Sequence, residues 1–571
     1  MITRPTVPKS QSVLVDLGII LFVAACLYGI VQAAKHWDTP LQSQYEISLS
    51  LWALPGYTLL SLWRGFLAYG ISLVFALIYG YAAAYQPRAE RVLLPLLDIL
   101  QSIPVLGFLP GAAMALAALF PGANAGLELT SILMICSSQA WGMTFSVYQS
   151  LRSMPETLVQ ASSLYQFNWW QRFRRLELPA SAVGLAWNSM MAMAGGWFFL
   201  MVCEAFTLGD RDFRLPGLGA YMSVAIVHRD FSAIAAGLLA MAIMIVAVDI
   251  LVWRPVLVWA QKFRMEENVG AEVRESIVLT WLRQSRLLEQ AVTHVGHPIE
   301  EWLTAKTPPK AHTAAARNMN GWRLLGRIGT MVVVAAALFL TIGGAWRLVR
   351  LLGQLSLAGW AEVLGDAVLT FLRVGGAVVL GTVWAVPLGI WIGRSDRRCA
   401  RFQPLVQVVA SFPAPMLFPL LLLAFQAVGW SLGWGSIFLM MFGTQWYILF
   451  NVIAGASSVP QELREVAQAF RFTPKQAWRM VWWPAIFPYL VTGWVTAAGG
   501  SWNASIVAEY VAMGKDVFVA PGLGSLISVS ASQGHYELLA AGVLTMAVAV
   551  VVINRYVWNA LYRRASTYAY S

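Results

Sequence analysis

Long apolar runs separated by short polar segments make up most of the chain. A helix needs about 20 residues to cross the hydrocarbon core of a bilayer, and about a dozen runs reach that length. They lie at 13–34, 57–85, 92–119, 128–150, 181–207, 232–256, 324–345, 362–393, 402–428, 434–456, 486–511 and 537–561. This pattern predicts an all-α polytopic membrane protein with about 12 transmembrane helices.

Composition supports the same class. Of the 571 residues, 58% are hydrophobic and 12% are charged, whereas a soluble domain has roughly 25% charged residues. The formal net charge is +11, but the basic residues lie mostly between apolar runs, which is typical of membrane proteins rather than nucleic-acid binders. The four cysteines are far apart without paired spacing, so the sequence predicts neither a disulfide framework nor a zinc site.

Lysine and arginine in the short loops predict the orientation, because cytoplasmic loops carry an excess of both. The loops expected in the cytoplasm contain Arg88, Arg91, Arg152, Arg172, Arg174 and Arg175 in the first half, and Arg394, Arg397, Arg398, Arg401, Arg464, Arg471, Lys475 and Arg479 in the second. Both termini are therefore expected in the cytoplasm, and the run at 13–34 is interpreted as a retained helix rather than a secretory signal. The loop 208–230 is the exception, because it is assigned to the outside although it holds Arg211, Arg214 and Arg229.

The two halves of the sequence repeat each other at an offset of 305 residues. The matched positions are Ser153-Met-Pro155 with Ser458-Val-Pro460, Trp197 with Trp502, Glu204 with Glu509, and Pro216-Gly-Leu-Gly219 with Pro521-Gly-Leu-Gly524. Further upstream the offset is 309, as Ile103-Pro104 and Phe412-Pro413 show. Both copies enter the membrane from the same side, which predicts a parallel repeat around one pathway. The predicted domains are 1–256, a cytoplasmic linker at 257–322, and 323–571.

Each half carries a polar loop between its fourth and fifth predicted membrane helices, at 152–180 and 457–485. In the second loop, Pro460 opens a helix-like stretch with acidic residues near its start. A turn follows at Thr473-Pro474, then an amphipathic stretch from Gln476 to Val481, and Pro484 is expected to restart the membrane helix. Such a helix-turn-helix can present a short helix to a cytoplasmic partner, and the alternative is an interfacial amphipathic segment.

These two loops resemble the coupling loop of the permease subunits of binding-protein-dependent ABC importers. The family pattern is Glu-Ala-Ala, three residues, Gly, nine residues, then Ile-x-Leu-Pro, and here Gln166 and Arg471 stand at the position of the glycine. The candidate coupling residues are Pro155, Gln160, Ala161, Ser162, Gln166, Pro179, Pro460, Glu465, Val466, Ala467, Arg471 and Pro484. The resemblance implies the type I importer permease fold in two copies and a location in a bacterial-type inner membrane.

The resemblance also implies partners. The coupling loops would dock on two copies of an ABC ATPase subunit, and a substrate-binding protein outside the cytoplasm is expected. No GxxxxGK[ST] phosphate loop occurs in the sequence. We therefore expect no enzyme activity and no cofactor in this chain, with ATP and Mg bound by the partner subunits. His294, His297 and His312 in the linker lack the further ligands of a metal site, so no metal is expected.

A carboxyl group interrupts an apolar helix in each half, at Glu204 and Glu509. Each lies seven residues after a tryptophan and precedes a Pro-Gly-Leu-Gly turn, as in the nitrate, taurine, sulfonate and bicarbonate branch of the permease family. The candidate pathway residues are Trp197, Glu204, Trp502, Asn503 and Glu509. The alternative is that the two glutamates lie near the outer interface and cap or pair structurally. Gating, pairing with a basic residue such as Arg211 or Lys515, or a protonated carboxyl would each remove the conflict between a carboxylate and an anionic substrate.

The sequence thus favours a fused permease of an ATP-driven importer of a small anion. A secondary transporter with two parallel halves is the alternative, because duplication alone also allows it. A membrane enzyme is disfavoured, since no convergent catalytic set of residues can be assembled from the spacing.

Overall fold

A computed structural model describes residues 46–102, 104–120, 124–208, 211–263, 278–280, 294, 342–513, 516–565 and 567. The predicted membrane run at 13–34, most of the predicted linker at 257–322 and most of the run at 324–345 lie outside the described residues.

The first repeat consists of helices and one small hairpin. Its elements are α1 Leu54–Tyr85, α2 Pro87–Ser102, α3 Leu109–Leu119, α4 Ala125–Arg152, α5 Glu156–Leu164, α6 Trp169–Arg172, α7 Leu178–Glu204, β1 Ala205–Leu208, β2 Arg211–Arg214, α8 Leu218–Val227, α9 Phe231–Val248 and α10 Arg254–Ala260.

The second repeat has the same order of elements. They are α11 Leu357–Gly393, α12 Asp396–Ala410, α13 Phe418–Ala427, α14 Leu432–Ser457, α15 Gln461–Ala469, α16 Pro474–Ala477, α17 Trp483–Ala508, β3 Tyr510–Met513, β4 Asp516–Val519, α18 Leu523–Gln533, α19 Tyr536–Ile553 and α20 Asn559–Ala565. The all-α class and the tandem repeat are thereby confirmed.

Six continuous helical segments among the described residues are long and apolar enough to cross a membrane. They are Leu51–Tyr85, Trp169–Glu204, Phe231–Phe263, Leu357–Gly393, Leu432–Ser457 and Tyr536–Ala565.

The runs predicted at 92–119 and 402–428 are not single helices. Each is divided into two helices, and the break falls at Pro104 in one repeat and Pro413 in the other. Proline lacks an N–H and disfavours a helical conformation in the residue before it, so the helix ends there and a short 3₁₀ turn follows.

Two antiparallel hairpins, β1–β2 and β3–β4, follow α7, which ends at Glu204, and α17, which ends one residue before Glu509. In the first, Ala205 lies opposite Arg214, and in the second, Tyr510 lies opposite Val519. Each hairpin returns the chain towards the end of the helix that it follows, because Leu215 and Ala520 donate backbone hydrogen bonds of 2.9 Å to the carbonyls of Glu204 and Glu509.

The chain divides into two compact units. One comprises residues 1–25, 146–187 and 250–357, and the other comprises 26–145, 188–249 and 358–571. In the first unit, Ala182 and Ala186 pack with Ala260. The second unit holds most of the membrane helices of both repeats among the described residues. One of its buried clusters joins α11, α14 and α17 through residues such as Ile390, Val452 and Ile486.

Within this second unit the repeats touch each other. The Tyr536 hydroxyl of the second repeat lies 3.7 Å from the Met114 sulfur of the first. Gly107 allows close approach, because a Cβ at that position would lie 3.3 Å from a Val543 methyl group and 3.8 Å from Ile506.

Candidate functional site

A buried cluster of polar side chains lies near the C-terminal end of α7. We call it the first clamp, and it consists of Ser61, Arg64, Glu128 and Glu204. Arg64 Nη1 donates to Glu204 Oε1 over 2.5 Å, while its Nε and Nη2 bind the two oxygens of Glu128 over 2.5 and 2.8 Å. One guanidinium therefore binds two carboxylates, and the Glu128 contact is the bidentate geometry that makes such pairs strong.

The first clamp holds the Pro-Gly-Leu-Gly turn at the start of α8. Arg64 Nη2 donates to the Pro216 carbonyl over 2.9 Å, and the Gly219 N–H donates to Glu204 Oε2 over 2.7 Å. Ser61 bridges the two parts, since its hydroxyl donates to Glu204 and accepts from the Leu218 N–H. The carboxylate thus lies at a helix N-terminus, where the backbone N–H groups favour negative charge.

The second repeat builds the same arrangement from Thr370, Arg373 and Glu509, which we call the second clamp. Arg373 Nη1 donates to Glu509 Oε1 over 2.8 Å and to the Pro521 carbonyl over 2.6 Å. Thr370 takes the place of Ser61, accepting from the Leu523 N–H over 2.8 Å. The counterpart of Glu128 is Gly433, and its backbone carbonyl accepts from Arg373 Nε over 3.2 Å.

The glycines of both turns are explained by contact with the carboxylates. A Cβ at Gly217 would overlap the carboxyl group of Glu204, and a Cβ at Gly522 would overlap that of Glu509. The backbone at these positions is fully extended, so space rather than backbone conformation demands glycine. Each Pro-Gly-Leu-Gly motif therefore supplies the backbone N–H and carbonyl groups that the side chains of its clamp bind.

A cavity of about 450 Å³ lies between the repeats, within the second compact unit. Its lining is matched across the repeats, for example Pro110 with Pro419, Met201 with Ile506, and Ser223 with Ser528. Most of the lining residues are apolar, and Arg214 is the charged side chain among the described residues that line it. A cavity lined by equivalent positions of two repeats fits the single pathway expected from a parallel duplication.

The predicted coupling loops fold into the expected short helices, α5 and α15. Each is followed by a turn and a second helix that begins with a capping box, Asn168 with Gln171 in one loop and Thr473 with Gln476 in the other. A capping box satisfies two backbone donors that a helix start otherwise leaves free. The helix-turn-helix interpretation is confirmed in both loops.

The turn between these helices has a left-handed residue in both copies. Gln166 and Arg471 both have φ of 49°, and these are the positions where the resembling family has glycine. A residue with a Cβ pays about 1–2 kcal/mol in this conformation. The turn geometry is therefore kept although the glycine is absent.

One detail of the loops differs from the prediction. Pro484 does not restart the membrane helix, because α16 continues through a π-helical turn at Trp478–Trp482 directly into α17. The first loop does the same through Phe173–Glu177, ahead of Pro179. A wider π turn changes the hydrogen-bond register next to a proline that cannot donate, so the chain passes the proline without a break.

Comparison with known proteins identifies the family. The chain matches the family described as "binding-protein-dependent transport system inner membrane component" twice, at residues 72–254 and 385–563. The chain belongs to this family. It is an ABC transporter permease, a multi-pass transport subunit with two tandem repeats of the permease fold.

Individual relatives match shorter parts. A nitrate import permease protein of Synechocystis sp. is 31% identical over 137 residues, which is 24% of this chain and 48% of the relative. A bicarbonate transport system permease protein of Synechococcus elongatus is 27% identical over 185 residues, 32% of this chain and 63% of the relative. A putative aliphatic sulfonates transport permease protein of Bacillus subtilis is 24% identical over 149 residues, 26% of this chain and 51% of the relative. The matched segment is thus less than two thirds of each of these relatives.

The permease has its predicted pathway residues largely buried. Glu204 and Glu509 are fully buried in the clamps, and Trp197 and Trp502 are each 2% exposed. Asn503 is half-buried and donates to the Gly499 carbonyl over 3.4 Å. None of the five lines the described cavity. The geometry favours the pairing alternative for the glutamates, while a lining or gating role of these residues stays a prediction.

The coupling residues are mostly accessible. Pro155, Gln160, Gln166, Pro460, Glu465, Val466 and Arg471 are exposed, Ala161, Pro179, Ala467 and Pro484 are half-buried, and Ser162 is buried. The Gln461 side-chain amide donates to Glu465 Oε1 over 2.9 Å along one face of α15. An exposed polar face on each loop is what docking on a partner requires, so the coupling role stays a prediction that the accessibility supports.

Sequence reasoning missed the arginines of the clamps and named Arg211 or Lys515 as partners instead. Arg64 is 140 residues away from Glu204, and Arg373 is 136 residues away from Glu509. The sequence did contain a signal for these arginines. Each lies within an apolar run, and the two are 309 residues apart, which is the upstream repeat offset. An ionisable residue inside a membrane helix is costly and generally has a partner.

Proposed function

We propose that this chain forms both halves of the membrane pathway of an ATP-driven importer of a small anion such as nitrate, bicarbonate or a sulfonate. It couples that pathway to two separate ABC ATPase subunits through the loops 152–180 and 457–485. The observation that carries the proposal is the duplication of the permease repeat around one cavity, with an accessible short helix in the predicted coupling loop of each copy.

In this proposal the second coupling helix, α15, is attached to the membrane helices by side-chain contacts and moves together with them. The Arg464 side chain donates to the Ala456 and Ser457 carbonyls at the end of α14, and to the Arg394 carbonyl over 3.2 Å. Trp482, in the π turn, lies under the Arg394 guanidinium at 4.5 Å and near that of Arg464 at 6.0 Å. Rigid-body motion of an ATPase subunit would thus pass to the ends of α11 and α14.

The proposed assembly has the organisation that the family implies. Both termini lie in the cytoplasm of a bacterial-type inner membrane, ATP and Mg are bound by the ATPase subunits alone, and a substrate-binding protein delivers the anion from outside. The anion class rests on the named substrates of the nitrate, bicarbonate and sulfonate relatives.

The test is uptake of labelled nitrate, bicarbonate and ethanesulfonate by the complete transporter in proteoliposomes. We expect uptake of at least one anion that requires ATP on the ATPase side and persists without an ion gradient. Uptake that follows a proton or sodium gradient and ignores ATP would instead support a secondary transporter.

The coupling loops provide a matched pair of variants. Glu465 is charged and Gln160 is its neutral counterpart, so Glu465→Ala is expected to lower anion-dependent ATP hydrolysis several-fold more than Gln160→Ala. The physical reason is that a charge-assisted contact is about twice as strong as a neutral one. ATPase rates of the two reconstituted variants measure this, and equal effects would remove the idea that the second loop makes the stronger charged contact.

A further inference from the structure

Four arginines lie at the corner where α11 ends and α12 begins. They are Arg394, Arg397, Arg398 and Arg401, which we call the arginine corner. Because α11 is long and apolar enough to cross a membrane, this corner lies where the chain leaves the bilayer. Asp396 is the acidic residue of the same stretch, and within the described residues none of the four arginines forms an ion pair with a carboxylate. The corner therefore keeps a net positive charge.

The equivalent corner of the first repeat shows that the turn does not require this charge. At the repeat offset of 309, α2 begins at Pro87, which corresponds to Asp396 at the start of α12. Residues 85–93 hold two arginines and one glutamate, whereas 394–402 hold four arginines and one aspartate. The counterparts of Arg394, Arg398 and Arg401 are uncharged, namely Tyr85, Ala89 and Val92. Since both turns form, the added arginines of the second repeat have a reason other than the fold.

Aromatic rings position three of these arginines. The ring centres lie 4.5, 4.9 and 5.9 Å from the guanidinium carbons in the pairs Trp482 with Arg394, Trp391 with Arg398, and Phe402 with Arg401. A cation–π contact holds a guanidinium in place while leaving N–H donors available to a ligand. Within the part of the chain that the structure describes, none of these three side chains donates a hydrogen bond. The corner thus presents positioned donors that the described residues do not use.

The arginine corner also brings like charges together. Arg464, from α15, donates to the Arg394 carbonyl over 3.2 Å, and both guanidinium groups lie over the Trp482 ring. The pKa of the Arg394 guanidinium is lowered from its usual value, first by partial burial and then by the charge of Arg398. Like charges this close repel each other. An anion bound among them would replace this repulsion with attraction.

An exposed apolar stripe on α11 runs up to the arginine corner. It consists of Val379, Val383, Pro387 and Trp391, which are exposed and four residues apart, so they are neighbours along the surface of the helix. The stripe belongs to a segment that is apolar enough to lie inside the bilayer, where a water-soluble partner protein has no access. A phospholipid matches both surfaces, because its acyl chains fit an apolar stripe and its headgroup lies at the membrane boundary.

We propose that the arginine corner binds the headgroup of an anionic phospholipid whose acyl chains lie along the stripe of α11. Basic groups that meet where membrane helices end recognise such headgroups, and a phosphate bound by guanidinium N–H donors forms charge-assisted hydrogen bonds. The equivalent positions of the first repeat lack three of the arginines, so the two repeats differ in lipid binding. This inference goes beyond the proposed function and holds whichever solute the permease transports.

The test is lipid binding to the full-length chain, purified in a neutral detergent and measured by native mass spectrometry. The probes are phosphatidylglycerol, which is anionic, and phosphatidylcholine, which has no net charge. The first variant is Arg398→Gln with Arg401→Gln, and the second, Arg398→Lys with Arg401→Lys, keeps the charge but loses the planar donors. The matched control is Arg88→Gln with Arg91→Gln, which removes the same charge from the corresponding segment of the first repeat.

We expect the wild-type chain to retain phosphatidylglycerol in preference to phosphatidylcholine. Arg398→Gln with Arg401→Gln should raise the phosphatidylglycerol concentration for half-occupancy about 10- to 30-fold, because each arginine near an anionic headgroup contributes about a factor of five. Arg398→Lys with Arg401→Lys should lie between the two, and the control should leave the value unchanged. Equal unfolding temperatures without added lipid establish that the variants fold, and the lysine variant gives the comparison if the glutamine variant does not fold.

Three outcomes would overturn the inference. The first is equal retention of the two lipids by the wild-type chain. The second is displacement of phosphatidylglycerol by an equal concentration of glycerol 3-phosphate, since a site for a small phosphate needs no acyl chains. The third is unchanged phosphatidylglycerol binding in Arg398→Gln with Arg401→Gln, and loss of co-purification with the ATPase subunits in that variant would then assign the corner to a protein interface.

Discussion

The two clamps show which parts of a duplicated site are fixed and which are free to change. Both keep an arginine, a glutamate, a hydroxyl group and a Pro-Gly-Leu-Gly turn in the same bonding pattern. They differ in the third ligand of the arginine, which is the Glu128 carboxylate in the first clamp and the Gly433 carbonyl in the second. The turn is held equally in both, so the pairing of arginine, glutamate and turn carries the structural role.

The presence of Glu128 in the first clamp also gives the two clamps different net charges. The first clamp has one arginine for two carboxylates, whereas the second has one for one. Arg64 is 2% exposed, and the more accessible Arg373 is 9% exposed. We therefore expect the first clamp to be the more sensitive of the two to loss of its cation, since a buried unpaired charge is costly.

The largest expected effect comes from removing the cations. Arg64→Leu should lower the free energy of unfolding by at least about 3–5 kcal/mol, because it leaves two carboxylates unpaired. Arg373→Leu leaves one and should cost less. Denaturant unfolding of the purified chain in detergent, or the yield of folded protein where a variant does not accumulate, measures both. Equal losses would contradict the assigned difference between the clamps.

Replacing both glutamates separates stability from transport. Glu204→Gln and Glu509→Gln should each lower the free energy of unfolding by about 1.5–3 kcal/mol, the usual contribution of a hydrogen bond to a charged group. The half-maximal anion concentration of the double variant should stay unchanged, because neither residue lines the cavity. A large shift in that concentration would instead favour the pathway role predicted from the sequence.

The turn glycines offer a test of packing alone. Gly217→Ala and Gly522→Ala should each cost about 1–3 kcal/mol through overpacking against the carboxylates. Gly70→Ala in α1 is the matched control, since a Cβ there meets nothing within 4 Å, and it should stabilise the helix by up to about 1 kcal/mol. Thermal unfolding in detergent compares the three, and a tolerated alanine at Gly217 would show that the turn is not held as described.

The smallest expected effect lies in the coupling loops. Gln166→Gly and Arg471→Gly should stabilise their turns by about 0.4–1 kcal/mol, because relief of the left-handed conformation exceeds the added freedom of the unfolded chain. Gln468→Gly, inside α15, serves as the control and should destabilise by about 1 kcal/mol. A loss of stability in Gln166→Gly similar to that of the control would mean that the left-handed conformation costs little at this position.

The sequence predicted the features that follow from the length of the apolar runs and from the internal repeat. Apolar runs indicated the membrane helices, and the constant offset found Glu204 and Glu509 together with their turns. The partners of these glutamates could not be predicted from local spacing, because Arg64 and Arg373 reach them only through the packing of distant helices. The breaks at Pro104 and Pro413 were underestimated for another reason, since the apolar pattern continues through both prolines while the hydrogen-bond ladder does not.

The cavity lay beyond the reach of sequence analysis. Arg214 looked like an exception to the charge rule for loops, and only the β1–β2 hairpin and the clamp beneath it bring this arginine to the cavity lining. Glu204 and Glu509 were favoured for the pathway because an ionisable residue is costly in a membrane helix, and Trp197 and Trp502 because a spacing of seven residues places each on nearly the same helix face as its glutamate. In the structure the two glutamates are stabilised by ion pairs with Arg64 and Arg373.

The central claim is that one chain supplies both halves of an importer permease. The most direct measurement is the subunit stoichiometry of the purified complex, by native mass determination after co-expression with the candidate ATPase subunit. We predict one permease chain with two ATPase chains, one for each coupling loop. Two permease chains with two ATPase chains, or a permease that purifies alone and transports without ATP, would contradict the account.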